Sequence, residues 1–265
     1  MRPSLLLRLV VVLAATVTSF ARAAVAPAFD DSYEAQYMAR MSMYGSELFH
    51  IRLKIPSGYT AGVVTTFYLI SQPENGGHDE IDFEFLGDKA GRPVTLQTNL
   101  IIDGRSYREQ RLRLWFDPAA AFHDYKILWN AYQLVMSVDD TPVRVLRNLT
   151  AAVPGYRFPS KPAMLIRGSI WDAWATDGGR ANVDWSRAPF TAAFRGFNVD
   201  AACAVGDVTP PCYDDPAALW WNGGEYEALS DAQRAAYEGV RNNSMDYCTD
   251  ELRFNSHVPL ECSYN

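Results

Sequence analysis

Between His78 and Gly87 the chain reads HDEIDFEFLG, with an ionisable side chain at every second position. In an extended strand His78, Glu80, Asp82 and Glu84 share one face, while Ile81, Phe83 and Phe85 share the other. A solvated outer sheet face is one reading, because alternating charge there is ordinary, yet no lysine or arginine on this face offsets the carboxylates. A metal site is a second, since a histidine and carboxylates supply nitrogen and oxygen ligands. A straight strand spreads the four side chains too far for all of them to meet one ion. The third reading is nucleophilic and acid–base work on a glycosidic bond. It needs one ionised carboxylate to attack carbon and one protonated carboxyl to donate to the leaving oxygen. Four residues of strand separate the backbones of Glu80 and Glu84 by about 13 Å. Side chains leaning toward Asp82 bring the two carboxyls toward the roughly 5–5.5 Å used by retaining enzymes. Crowded negative charge raises the pKa of whichever group must keep its proton, and Asp82 between them is placed to orient the nucleophile.

The elements that must carry this face read as short strands punctuated by turn residues. FHIRLKI (Phe49–Ile55) and GVVTTFYLI (Gly62–Ile70) precede a turn at ENGG and the acidic strand. VTLQTNLII (Val94–Ile102), REQRLRLWF (Arg108–Phe116) and HDYKILWN (His123–Asn130) follow, and YQLVMSV and VRVLRNL flank DDTP as a hairpin. The pattern predicts two packed antiparallel sheets of jelly-roll type. After about Asp200 the character changes. SDAQRAAYEGVRNN starts with Ser230 and Gln233 at capping-box spacing, with Ala232, Ala236 and Val240 at helical intervals. It predicts one helix in an extension packed on the sandwich.

Arg2 and Arg8, an apolar run to Thr16 and the small-residue site Ala21-Arg22-Ala23 have the layout of a secretory signal peptide. The expected organisation is a signal segment over 1–23, a β domain over 24–200 and an extension over 201–265. No later run is apolar and long enough to cross a bilayer. The four cysteines, Cys203, Cys212, Cys248 and Cys262, lie in the last quarter and read as two disulfides in a secreted chain, although four cysteines allow three connectivities. The sequential pairing, Cys203–Cys212 and Cys248–Cys262, closes short loops worth roughly 2–3 kcal/mol each. Their spacing with histidine does not suit zinc, so no metal or cofactor is expected. A net charge of −7 with scattered basic residues argues against nucleic acid and anionic lipid as partners. Asn148-Leu149-Thr150 and Asn242-Asn243-Ser244 are glycosylation sequons in a secreted chain.

HDEIDFEFLG resembles the signature of plant xyloglucan endotransglucosylase/hydrolases, within glycoside hydrolase family 16. TAGVVTTFY before it, and QTN, REQ, LWFDP, FHDYKILWN, VDDTPVRV, WATDGG and MDYCTDELR after it, extend the resemblance from about Gly45 to Cys262. It implies a curved jelly-roll β-sandwich with an open cleft, secretion to the cell wall, and retention of configuration at the anomeric carbon. By position, Glu80 is the nucleophile, Asp82 its helper and Glu84 the general acid/base. The implied partners are xyloglucan polysaccharide and oligosaccharide acceptors, met by a monomer. Gln97, Asn99, Arg108 and Glu109 match polar sugar-binding positions. Tyr68, Trp171 and Trp174 match aromatic positions expected to stack on glucosyl rings, or else pack as ordinary core, and Arg253 matches a basic residue of the acceptor side. Related bacterial β-glucanases carry one extra residue in the acidic motif, which bulges the strand; the regular spacing here fits the plant branch. The chain departs from the family near its start, where AFDDSYEAQYMARMSMYGSELF is short by a few strands' worth of sequence and is expected to leave sheet edge exposed. The usual sequon after the acidic strand is replaced by Asp88-Lys89-Ala90.

Overall fold

Alternating burial sorts the strands into two antiparallel sheets. The structure, a computed structural model, describes residues 33–34, 38–40, 43–44, 47–71, 76–160, 164–172, 176–199, 204–205, 219–250 and 258–264. The expected signal segment lies outside them, as do Cys203, Cys212, Trp174 and Arg253. In chain order the described strands are β1 (Tyr33–Glu34), β2 (Met38–Arg40), β3 (Met43–Tyr44), β4 (Glu47–Lys54), β5 (Val63–Ser71), β6 (Glu80–Leu86), β7 (Thr95–Ile101), β8 (Gln110–Arg113), β9 (His123–Trp129), β10 (Gln133–Val138), β11 (Thr141–Arg147), β12 (Met164–Asp172), β13 (Ala193–Val199), β14 (Ala204–Val205) and β15 (Ser244–Met245). One sheet runs β1-β2-β12-β5-β6-β7-β8-β15, with β3 and β14 beside it, and the other runs β11-β10-β9-β4-β13.

The acidic segment becomes β6, near the middle of the larger sheet. It pairs β5 and β7 without a register shift, so its alternation runs unbroken and no bulge re-aims a carboxylate. Ile81, Phe83 and Phe85 are fully buried. Phe83 and Phe85 meet Tyr125 of β9 edge-on, with ring centroids 5.6 and 5.0 Å apart, which ties the larger sheet to the sheet behind it. Burying each of these side chains is worth about 1.5–3 kcal/mol, enough together to hold a strand whose other face carries crowded charge.

Two expectations need correction. The strand expected over Arg108–Phe116 is confined to Gln110–Arg113. Tyr107 has φ of 75°, a left-handed conformation that breaks the pleat on one side, and bends at Trp115 and Phe116 break it on the other. The edge expected to be bare is partly covered. On the outer side of β12, β2 pairs Arg167 and Gly168, and β3 pairs Met164. Among the described residues no strand pairs Ser169–Asp172 on that side.

The C-terminal extension folds as its sequence indicates. Helix α1 (Asp231–Arg241) begins with a full capping box, in which Gln233 N–H donates to Ser230 Oγ (3.3 Å) and Ser230 N–H donates to Gln233 Oε1 (3.0 Å). The helix packs on β11, and β15 then adds to the free edge of β8. Cys248 and Cys262 form a disulfide. Beside it, Glu261 accepts a charge-assisted hydrogen bond from Arg108 Nε, and the Tyr247 hydroxyl lies 3.4 Å from the same carboxylate oxygen. Arg108 is 6 % exposed and Glu261 2 %, so neither charge has water as an alternative partner. Removing one half of such a pair strands the other, at about 3–5 kcal/mol, whereas replacing both halves by apolar side chains is often neutral. Glu261→Leu is therefore expected to lower stability by about 3–5 kcal/mol and Arg108→Met/Glu261→Leu to restore most of it. Urea denaturation followed by tryptophan fluorescence measures both; equal losses in the single and double variants would contradict the pairing.

Candidate active site

The register of β5, β6 and β7 assembles the site row by row. Glu80 lies opposite Ile70 and Ile101, Asp82 opposite Tyr68 and Asn99, and Glu84 opposite Thr66 and Gln97. A cleft of about 270 Å³ is lined by Thr66, Tyr68, Glu80, Asp82, Glu84, Ser169 and Trp171. All three carboxylates thus open into one space, together with two of the aromatic residues expected there.

The groups around each carboxylate differ. His78 Nε2 is 3.1 Å from Glu80 Oε2, while His78 Nδ1 is 3.2 Å from the Gly76 carbonyl. The ring therefore orients Glu80 rather than facing substrate alone. Asp82 is buried, and its carboxyl is held well above the usual aspartate range, first by desolvation and then by the charges of Glu80 and Glu84. It is hydrogen-bonded to Glu80, and in its protonated form it donates to that carboxylate. Glu84 is also raised, by burial first and by the charges of Glu109 and Glu80. Opposing this, Gln97 Nε2 donates to Glu84 Oε2 at 2.5 Å, and the Arg111 charge favours the ionised form. The arrangement holds one carboxylate supported by a donor and a second that keeps its proton above the ordinary range, the division that glycosidic-bond cleavage requires.

The remaining expected residues take distinct places. Tyr68 is hydrogen-bonded to Arg167 of β12, and burial raises its hydroxyl pKa. Asn99 is buried beside Asp82, with its Oδ1 accepting from Leu100 N–H at 2.9 Å. Glu109 is half-buried and acts on Glu84 through its charge. Trp171 is 39 % exposed at the cleft wall. Arg108 is placed behind the sheet, in its pair with Glu261, and does not line the cleft. Of the sequons, Asn148 accepts from Thr150 Oγ1 (2.7 Å) and donates to the Ala131 carbonyl (2.8 Å), while Asn242 is the exposed C-cap of α1.

Sequence reasoning missed three contributors. Arg111 Nε donates to Gln97 Oε1 at 2.7 Å, so the Gln97 amide is oriented with its NH₂ toward Glu84. The alternation of Glu109 and Arg111 was the available signal. Thr66 and Ser169 share a 2.6 Å hydroxyl contact on the cleft floor. Thr176 is the third. Its hydroxyl donates to Gly87 O (2.6 Å) and accepts from Gly62 N–H (2.9 Å), fastening the segment after β12 to the ends of β5 and β6. Gly87 is also where Thr60 closes in, since a Cβ there would lie 2.2 Å from Thr60 O. Lys89 Nζ also reaches Asp177 Oδ2 at 2.6 Å, but that pair is solvent-exposed and the buried Thr176 bonds dominate the clamp. Among the described residues no group of three or more histidine, cysteine or acidic side chains could hold a metal ion.

Folding raises the Asp82 pKa, so the native chain keeps a proton that the unfolded chain releases as pH passes the ordinary aspartate range. The stability this group contributes is complete at low pH and is lost as pH rises through the raised value. Asp82→Asn is expected to abolish that decline, so the difference in urea midpoint moves in the variant's favour from about pH 4 upward. Parallel pH profiles for the two proteins would contradict a protonated Asp82.

Residues 31–187 match Glycosyl hydrolases family 16, and residues 215–262 match Xyloglucan endo-transglycosylase (XET) C-terminus. The chain is 48 % identical over 223 residues to Xyloglucan endotransglucosylase/hydrolase protein 3 of Arabidopsis thaliana, an alignment spanning 83 % of this chain and 74 % of that protein. It is 43 % identical over 229 residues to protein 2 of the same series and plant, covering 84 % and 76 %. Among solved structures, apo Crh5 transglycosylase has the same fold, with a TM-score of 0.52 at 24 % identity over 72 % of this chain and 78 % of that one. The chain belongs to glycosyl hydrolases family 16, in its xyloglucan endotransglucosylase/hydrolase branch.

Proposed function

We propose that the protein cuts the β-1,4-glucan backbone of xyloglucan by a retaining mechanism and passes the cut chain to a second xyloglucan molecule in the cell wall. The observation that carries this reading is the paired environment of the β6 carboxylates, with Asp82 hydrogen-bonded to Glu80 and Glu84 raised beside a donor amide. The relatives named above, whose names join transglucosylase and hydrolase, support the substrate and the reaction class.

The steps follow from these environments. The Glu80 carboxylate attacks the anomeric carbon while the bond to the leaving glucosyl oxygen breaks. The leaving oxygen takes the proton held by Glu84, and a glycosyl ester forms on Glu80. Asp82 donates to Glu80 before attack and steadies the carboxylate again as it leaves. In the second half an acceptor hydroxyl gives its proton to the Glu84 carboxylate and attacks the same carbon, releasing Glu80. Water in place of the acceptor gives hydrolysis with identical proton bookkeeping. Tyr68 and Trp171 line the cleft and offer aromatic faces to the glucosyl rings, and Gln97 and Asn99 of β7 with Glu109 before β8 offer polar contacts beside it. No cofactor enters the scheme.

Secretion fits the leader-like N-terminal segment and the Cys248–Cys262 bridge, which forms and persists in oxidising compartments. Among the described residues no helix is long and apolar enough to cross a membrane. We assign the glycans to Asn148 and Asn242, the second disulfide to Cys203 and Cys212, the acceptor-side cation to Arg253 and a further stacking ring to Trp174. The protein acts as a monomer on polysaccharide, not on nucleic acid or lipid.

A labelled-acceptor assay tests the reading. Protein is mixed with xyloglucan and a fluorescent xyloglucan oligosaccharide, and label in polymer is followed together with new reducing ends. Label is expected to enter polymer, and Glu80→Ala to lower the rate by at least about 1000-fold. Reducing ends without label make the protein a hydrolase. Neither signal, from folded protein that an immobilised xyloglucan still retards, makes it a binder. Because Glu84 must be protonated to start the reaction, kcat/KM is expected to fall as pH rises through its elevated pKa, and Glu84→Gln to remove that limb along with most activity.

A further inference from the structure

Tyr107 stands out among the exposed rings. It is 65 % exposed, more than any other large hydrophobic side chain among the described residues, and its φ of 75° is a conformation that glycine adopts without strain and tyrosine does not. The backbone around it is fastened on both sides. Gly104 N–H donates to His78 O at 2.7 Å, Asp103 N–H donates to Asp79 Oδ1 at 2.8 Å, and Ile102 bridges Arg105. On the other side Arg108 is locked by Glu261 and by the Arg105 carbonyl (2.8 Å). A strained backbone held this firmly presents a bare ring that the fold itself does not use.

Its place in the sheet suggests the use. β12 lies two strands from β6 on one side, and β8, which Tyr107 precedes, lies two strands from β6 on the other. Each offset is about 10 Å. Tyr107 lies in the loop that leads into β8, and Arg111 of that strand reaches Gln97 on the cleft face. Its loop adjoins His78, at the Glu80 end of the carboxylate row, whereas Trp171 sits beyond the Glu84 end, opposite Val64. A sugar chain crossing the strands diagonally over the carboxylates passes from Trp171 to the Tyr107 loop.

We propose that Tyr107 is a substrate-stacking residue, which holds a pyranose ring of a long β-glucan chain on the flank of the cleft opposite Trp171. This rests on the β-glucan reading given above. The ring face supplies the contact, so the hydroxyl is dispensable. The left-handed backbone turns the ring outward, and the fold keeps it at a cost in stability.

The test is affinity electrophoresis in gels containing xyloglucan, hydroxyethyl cellulose or mixed-linkage β-glucan, with Glu80→Ala as the parent so that the polymer is not cut. Tyr107→Ala is expected to weaken retardation about threefold to tenfold for the polymer that holds the parent. Tyr107→Phe is expected to keep it, and Tyr132→Ala, which removes an exposed ring from the turn before β10, to leave it unchanged. Tyr107→Gly is expected to bind as weakly as Tyr107→Ala yet melt at or above the parent temperature, because the strain is relieved. A parent retarded equally with and without the Tyr107 ring overturns the inference and leaves the substrate reading standing. A parent retarded by none of the three polymers overturns both.

Discussion

Every other feature of this protein answers one constraint: three carboxylates must stand together on a single strand without forcing it out of the sheet. Two terms make that tolerable. On the buried side, Ile81, Phe83 and Phe85 fill the sandwich and lock against Tyr125, so displacing β6 would cost several kcal/mol of apolar burial. On the cleft side, burial and the charges of Glu80 and Glu84 push the Asp82 carboxyl well above the usual aspartate range, so a proton is more readily held there and can be donated to Glu80.

The neighbours of β6 refine that arrangement. Gln97 would act on Glu84 only weakly if its amide were free to flip; Arg111 fixes it by occupying the carbonyl oxygen. The line Arg111–Gln97–Glu84 runs across three adjacent strands, so its geometry is set by sheet register rather than by loops. Loops build the wall instead. Thr176 draws the chain after β12 onto Gly62 and Gly87, two backbone positions with no room for a side chain. Precision thus resides in the strands, and the boundary of the cleft resides in a glycine-lined clamp.

Much of this was legible in the sequence, for identifiable reasons. The carboxylate face and its apolar reverse follow from a period of two, and register without a bulge preserved it. The capping box at Ser230 and Gln233 is a local signal, and helix α1 begins there. The hydroxyl pair of Thr66 and Ser169, and the Arg111–Gln97 contact, depend on which strands become neighbours, and no local pattern encodes that. Arg108 misled for a related reason. Its match to a family sugar-binding position placed it on a polar surface, whereas Glu261, 153 residues away, pairs with it in a buried site. The β8 boundary was missed because left-handed φ at a tyrosine has no sequence signature.

That long separation also bears on how the molecule is made. At about 5–20 residues per second, Arg108 leaves the ribosome roughly 8–30 s before Glu261 does. Through that interval its guanidinium has no carboxylate to justify burial, and the edge of β8 lacks the backbone partners that β15 later supplies. The nascent catalytic sheet therefore presents an unpaired rim and a solvated cation until late in synthesis. The C-terminal segment is the cover that closes both once it has been made.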